Sequence, residues 1–195
     1  MRIFIALAID DSIRERIARF VDGVHGFAPD ARWVRPESMH VTLKFIGEKS
    51  EQAVVEIKQA LEGIEASAME IRFRGYGFFP TAKAARVFWI GIEAGPELPA
   101  LAAKVDNNLA VLGIPKEEHA FSPHLTLARG SRGSASPRVR KEDVPNRNFQ
   151  RLQEKLSAMP APEFGTMTAR EFFLYESQLS QGGSRYVKLS AFALG

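Results

Sequence analysis

The chain contains no cysteine. That excludes disulfides, thiolate zinc sites, iron–sulfur clusters and a cysteine nucleophile together, and it suits a reducing compartment. Long apolar runs are missing as well; none approaches the ~20 residues that a membrane-spanning helix needs. The N-terminal run from Ile3 to Ile9 stops at Asp10-Asp11 with no cleavage site in view, so no signal peptide is expected. The expectation is a soluble, cytoplasmic protein without a membrane partner. The chain also lacks a Gly-x-x-x-x-Gly-Lys-[Ser/Thr] loop, a His-Glu-x-x-His pair and any cluster of aspartates. Neither ATP use nor a metal or other cofactor is therefore expected.

The composition itself is ordinary for a globular protein: 195 residues, 45% hydrophobic and 25% charged, with 26 basic against 23 acidic side chains for a net charge of +3. At this size a chain buries roughly 70% of its unfolded surface, enough for a core without staples. The charge is uneven. From Arg129 to Arg151, Arg129, Arg132, Arg138, Arg140, Lys141, Arg147 and Arg151 face only Glu142 and Asp143, a patch suited to an anionic partner such as nucleic acid or to a solvated basic loop.

Periodicity places the elements. Ile3, Ile5, Leu7 and Ile9 alternate as a strand, and Ile13, Ile17, Phe20 and Val24 form a helical stripe that Asp10 or Asp11 can cap. Residues 40–47 read as a strand, and Val54, Ile57, Leu61 and Ile64 as a helix. Strands over 71–79 and 86–92 join through Pro80-Thr81, and a third helix runs from Leu98 to Leu112, ended by Gly113. A strand at 121–129 precedes the basic Gly/Ser-rich segment, whose residues 130–146 alone look disordered. Phe149, Leu152 and Leu156 suggest a short helix, and strands at about 170–179 and 186–194 close the chain around Gly182-Gly183.

Shifting the chain by 84 residues carries Arg2-Ile3-Phe4 onto Arg86-Val87-Phe88 and His40-Val41-Thr42-Leu43 onto His124-Leu125-Thr126-Leu127. Two anchors at one offset indicate a duplicated unit. The expected fold is α+β: a duplicated bilobal structure of two antiparallel sheets with helices outside, related by a pseudo-two-fold axis around a central cleft. On a strand, residues i and i+2 share a face. His40 with Thr42, and His124 with Thr126, would line that cleft over a core of Val41, Leu43, Leu125 and Leu127. Two imidazoles near pKa ~6.5 can hold opposite protonation states at neutral pH, one as base and one as acid. Displacement at phosphorus needs such a pair on opposite sides of the phosphate, with hydroxyls on the non-bridging oxygens. A di-histidine metal site is the competing reading. His25 and His119 read as bystanders.

Around these motifs the chain resembles the two-histidine (2H) phosphoesterase superfamily, and within it the bacterial RNA 2′,3′-cyclic phosphodiesterases, also called 2′-5′ RNA ligases. The likeness spans nearly the whole chain. It includes Phe4-Ile5-Ala6-Leu7, Arg32-Trp33-Val34, the run His40 to Glu48, Arg86-Val87-Phe88-Trp89, Phe121 to Arg129, and Leu174-Tyr175-Glu176-Ser177 before Gly183 and Tyr186. The resemblance implies one domain over residues 1–195, made of two intertwined lobes that each contribute one His-x-Thr-x motif. It implies metal-independent hydrolysis of an RNA 2′,3′-cyclic phosphate end to a 2′-phosphate, with weak reversible 2′-5′ ligation when a 5′-hydroxyl replaces water. His40 would be the proton donor and His124 the proton acceptor; Thr42, Thr126 and Arg129 would bind the phosphate. A related cyclic nucleotide or a 2′-5′ oligonucleotide as substrate, and an RNA-end binding protein without turnover, are the alternatives. A monomer is expected, since both lobes lie in one chain.

Strict alternation conflicts with one of these roles. It turns Arg129 away from His124 unless the strand twists beside Gly130. It also sends Phe45 into the core and leaves Lys44 at the cleft margin. Trp33, Phe45, Phe78, Phe79 and Tyr186 are candidates to stack on the terminal base, with none singled out.

Overall fold

The computed structural model describes residues 1–130 and 149–195; most of the basic segment, and the expectation of disorder over 130–146, lie outside the described residues. Nine strands and four α-helices succeed one another along the described chain. β1 (Arg2–Ala8), α1 (Asp11–Val24), β2 (Arg32–Trp33), β3 (His40–Glu48), α2 (Glu51–Glu62), β4 (Met69–Phe79) and β5 (Val87–Ala94) come first. After them come α3 (Glu97–Ala110), β6 (His124–Arg129), α4 (Gln150–Ser157), β7 (Glu163–Ala169), β8 (Glu171–Ser180) and β9 (Gly183–Ala193). The strands form two antiparallel sheets, a four-stranded one in the order β3-β1-β8-β9 and a five-stranded one in the order β2-β6-β5-β4-β7. The α+β duplicated architecture expected from the sequence is the one observed.

The elements begin and end for local reasons. Ser50 accepts a hydrogen bond from the Ala53 amide at 3.2 Å and caps α2. At α1, Asp10 stands at the N-cap, but its carboxylate makes no cap; its backbone carbonyl instead takes the Ile13 and Arg14 amides at 3.1 and 3.0 Å. Two strands escape the periodicity reading. β2 is two residues long, and in β7 the buried residues Phe164, Met167 and Ala169 do not alternate. Gly165 sits there at φ 109°, where the pairing with β4 slips.

The two halves interpenetrate. α1 comes after a strand of the first sheet yet packs on β7 of the second, and α3 comes after a strand of the second sheet yet packs on β3 of the first. One continuous apolar core joins Ile5, Leu7, Ile17 and Val41 to Phe73, Phe88, Leu109 and Leu125. A smaller cluster of Phe4, Ala6, Phe173 and Tyr175 lies on the other face of the first sheet. β1 is thus buried on both faces, which suits a central strand with apolar residues at every position from Ile3 to Leu7. The strands carrying the two histidines, β3 and β6, approach each other across the junction of the sheets.

Candidate active site

A cavity of about 170 Å³ opens between β3 and β6, lined by His40, Thr42, His124, Thr126, Arg129 and Tyr186 among others. All five residues singled out as catalytic or phosphate-binding therefore share one cavity. Val41, Leu43, Leu125 and Leu127 are buried behind them, as strand alternation demands.

The two imidazoles are held alike. His40 Nδ1 lies 2.9 Å from the Ser38 carbonyl oxygen, and His124 Nδ1 lies 2.9 Å from that of Ser122. A carbonyl only accepts, so each Nδ1 carries its proton and donates it. Each Nε2 is left without that bond, and the neutral ring is oriented by its own backbone. Sequence reasoning missed this contact, because the partner is a backbone carbonyl that any residue type at positions 38 and 122 would supply.

The surroundings differ. His40 lies 4.7 Å from the Phe4 ring and meets Tyr186 edge-on at 5.1 Å, with Tyr175 6.1 Å away. Burial among these rings pushes the His40 imidazole from 6.5 down to about 4, against the Ser38 carbonyl, which favours the charged form. Burial likewise raises the Tyr175 hydroxyl to about 12, so it stays a phenol. His124 packs edge-on against Phe79 at 5.1 Å and beside Trp89 at 6.2 Å. Trp89 in turn lies flat over Gly77, where a Cβ would come within 2.1 Å of its ring.

The alternation argument for the ends of both motifs is corrected by a pair of β-bulges. In β3, Thr42 pairs with Ala6 and Lys44 with Ile5, leaving Leu43 as the extra residue. In β6, Thr126 pairs with Trp89 and Ala128 with Phe88, leaving Leu127 extra. Each bulge inverts the facing of the residues beyond it on the strand. Lys44, expected at the cleft margin, is buried at 3% exposure, whereas Phe45, expected in the core, is 67% exposed and borders the cavity. Arg129 reaches the cavity for the same reason, rather than by a twist at Gly130. The bulges sit at equivalent places in the two repeats, so Phe45 and Arg129 are counterparts. The other sequence anchor shifts by one: Phe4 pairs with Phe45 as Val87 pairs with Arg129, so the counterpart of Phe4 is Val87 and not Phe88.

Lys44 has a role that sequence reasoning missed. Its ammonium donates to Asp106 Oδ1 on α3 at 2.5 Å and to the Pro115 carbonyl at 2.9 Å, with Glu117 at 3.6 Å. It thereby ties the bulge of β3 to the segment that leads into Ser122 and His124. Among the described residues no three of His, Asp and Glu come together as a metal-ligating group. Nor is any described helix long and apolar enough to cross a membrane. Of the stacking candidates, Phe45 and Tyr186 line the cavity; Trp33 and Phe78 pack against the core.

Residues 7–89 match the family model for LigT-like phosphoesterases. A relative in Archaeoglobus fulgidus called RNA 2′,3′-cyclic phosphodiesterase is 33% identical over 98% of this chain and 99% of its own length. One of the same name in Aeropyrum pernix is 33% identical over 89% of this chain and 92% of its own. Among solved structures, E. coli LigT complexed with 3′-AMP is similar at a TM-score of 0.76 and 26% identity, covering 99% of this chain and 97% of that one. With its bulged histidine strands, its shared cavity and this likeness along the whole chain, the protein belongs to the LigT-like phosphoesterase family.

Proposed function

We propose that this protein hydrolyses the 2′,3′-cyclic phosphate end of RNA to a 2′-phosphomonoester by general acid–base catalysis between His40 and His124. The observation that carries this reading is the paired geometry: two Nδ1–H groups fixed on backbone carbonyls, leaving two Nε2 atoms for one small cavity. The names of the full-length relatives supply the substrate class.

The steps derive from the groups present. His124 Nε2 takes a proton from water as it attacks phosphorus, and the bond to the 3′-oxygen breaks as that oxygen receives a proton from His40 Nε2. Thr42 and Thr126 donate to the non-bridging oxygens, and the Arg129 guanidinium offsets their charge. No step needs a metal, because the charge is met by donors already in the cavity. A 5′-hydroxyl entering in place of water would give a 2′-5′ linkage by the same route. The enzyme acts as a monomer in the cytoplasm.

One observation favours a second assignment. In the free protein His40 is held neutral, near 4, the state of a base. The donor role therefore requires that the anionic phosphate, seated against Nε2, restore the proton. If it does not, His40 is the base and His124 the acid. Turnover by His40→Ala and His124→Ala tests the dyad itself: each is expected to lose about 10²–10⁴-fold in kcat while still binding adenosine 2′-monophosphate. Loss of turnover in only one of the two variants would rule out a paired mechanism.

A further inference from the structure

The two repeats differ in what flanks their histidine strands. In the first sheet β3 is the outermost strand, whereas its counterpart β6 has β2 beside it. β2 places Arg32 directly opposite Arg129, and residues directly opposite on antiparallel strands share a face. Val34, two positions beyond Arg32, lines the same cavity as Arg129. Arg32 therefore stands beside Arg129 at the cavity mouth, one strand farther out, a step of about 4.8 Å. We propose that Arg32 binds the phosphodiester on the 5′ side of the terminal nucleotide, so that the enzyme selects an RNA chain over a single cyclic nucleotide. This rests on the cyclic phosphodiesterase reading of the site.

Charge matching selects that ligand. A 2′,3′-cyclic phosphate carries one negative charge, which the Arg129 guanidinium meets. A second guanidinium is surplus to it. Arg32 and Arg129 are both exposed, and among the described residues neither pairs with a carboxylate. Like charges directly opposite on a sheet destabilise it, and an anion on each relieves that cost. On an RNA strand the next anion is the phosphodiester that joins the terminal nucleotide to its neighbour, and a guanidinium fork suits its two free oxygens. The opposite flank offers no such group, since Lys44 is buried there and already matched by Asp106 and Glu117. The segment carrying Arg32 is also held in place from both sheets. The Val34 amide donates to the Leu127 carbonyl of β6 at 2.8 Å, and Arg35 donates to the Ser184 carbonyl of β9 at 3.2 Å.

Two substrates that differ by one phosphodiester test it: adenosine 2′,3′-cyclic phosphate, and the dinucleotide ApA ending in a 2′,3′-cyclic phosphate. At low salt the wild type is expected to favour the dinucleotide about tenfold in kcat/KM. Arg32→Ala loses that preference through KM and turns over the mononucleotide as the wild type does, while Arg32→Lys, which keeps the charge, retains part of it. Binding of the two 2′-phosphate products, followed across a salt titration, reads the contact without turnover. For the dinucleotide the slope of log affinity against log salt is expected to shrink by about 0.7 in Arg32→Ala, and for adenosine 2′-monophosphate to stay the same. Equal losses for both substrates would put Arg32 on the cyclic phosphate itself, and an undiminished preference in Arg32→Ala would remove it from the site; either overturns the proposal. If the wild type opens neither cyclic phosphate, the reaction assignment fails instead, and the salt titration still decides the contact.

Discussion

At the residue scale the proposed chemistry rests on two imidazoles, His40 and His124, fixed alike and packed differently. Their identity was legible in the sequence because each motif is contiguous and repeated. Their tautomer was not, because it depends on carbonyls that any residue at positions 38 and 122 would supply. Nor was the depressed affinity of His40 for protons, since Phe4, Tyr175 and Tyr186 come to it from three other strands. That depression makes two predictions. By nuclear magnetic resonance the free His40 ring stays neutral at pH 6 and titrates near 4; adenosine 2′-monophosphate raises that value if His40 is the donor. A free His40 that titrates near 6.5 contradicts the burial argument. The second prediction concerns folding. Between about 4 and 6.5 the unfolded chain binds a proton that the folded chain refuses, so stability is full above pH 6.5 and declines as pH falls toward 4. Chemical denaturation across that window should show a decline that His40→Gln reduces.

At the scale of the element, the matched bulges decide the site. Alternation places His40, Thr42, His124 and Thr126 correctly because it holds up to the bulge, and it fails for Lys44, Phe45 and Arg129 because one extra residue inverts it. A bulge leaves no composition mark at Leu43 or Leu127, so its position emerges only from the pairing. β7 was missed for a related reason, its alternation being interrupted at Gly165. The Lys44 ammonium holds the first bulge against α3. Lys44→Met keeps the length of the side chain but leaves Asp106 without its cation. We expect a loss of about 2–3 kcal/mol in urea unfolding, somewhat under the range for a wholly buried pair because Asp106 is 19% exposed. Lys44→Met with Asp106→Leu should recover part of it, and no recovery would place the stabilisation elsewhere. In the second repeat, Gly77→Ala is expected to displace Trp89 from behind His124, lowering kcat more than it raises KM. An unchanged kcat would show that His124 does not need this support.

For the whole molecule, the two sheets and their interpenetrating helices share one apolar core. The duplicated α+β architecture was readable from the repeated tetrapeptides and from the order of elements around them. The exchange of α1 and α3 between the sheets was not, because amphipathic stripes show that a helix is covered but not by which strand. With that exchange and one shared core, we expect the two lobes to unfold as a unit: a single calorimetric transition whose calorimetric and van't Hoff enthalpies agree. Two separable transitions would show independent lobes. The central claim concerns chemistry, and a single incubation tests it most directly. A short RNA ending in a 2′,3′-cyclic phosphate is treated with the protein in excess EDTA, and the position of the product's phosphate is determined. Two-histidine catalysis with the 3′-oxygen as leaving group predicts a 2′-phosphate, formed at an undiminished rate in the chelator and lost in both His40→Ala and His124→Ala. A 3′-phosphate product, or activity that disappears with EDTA, would contradict it.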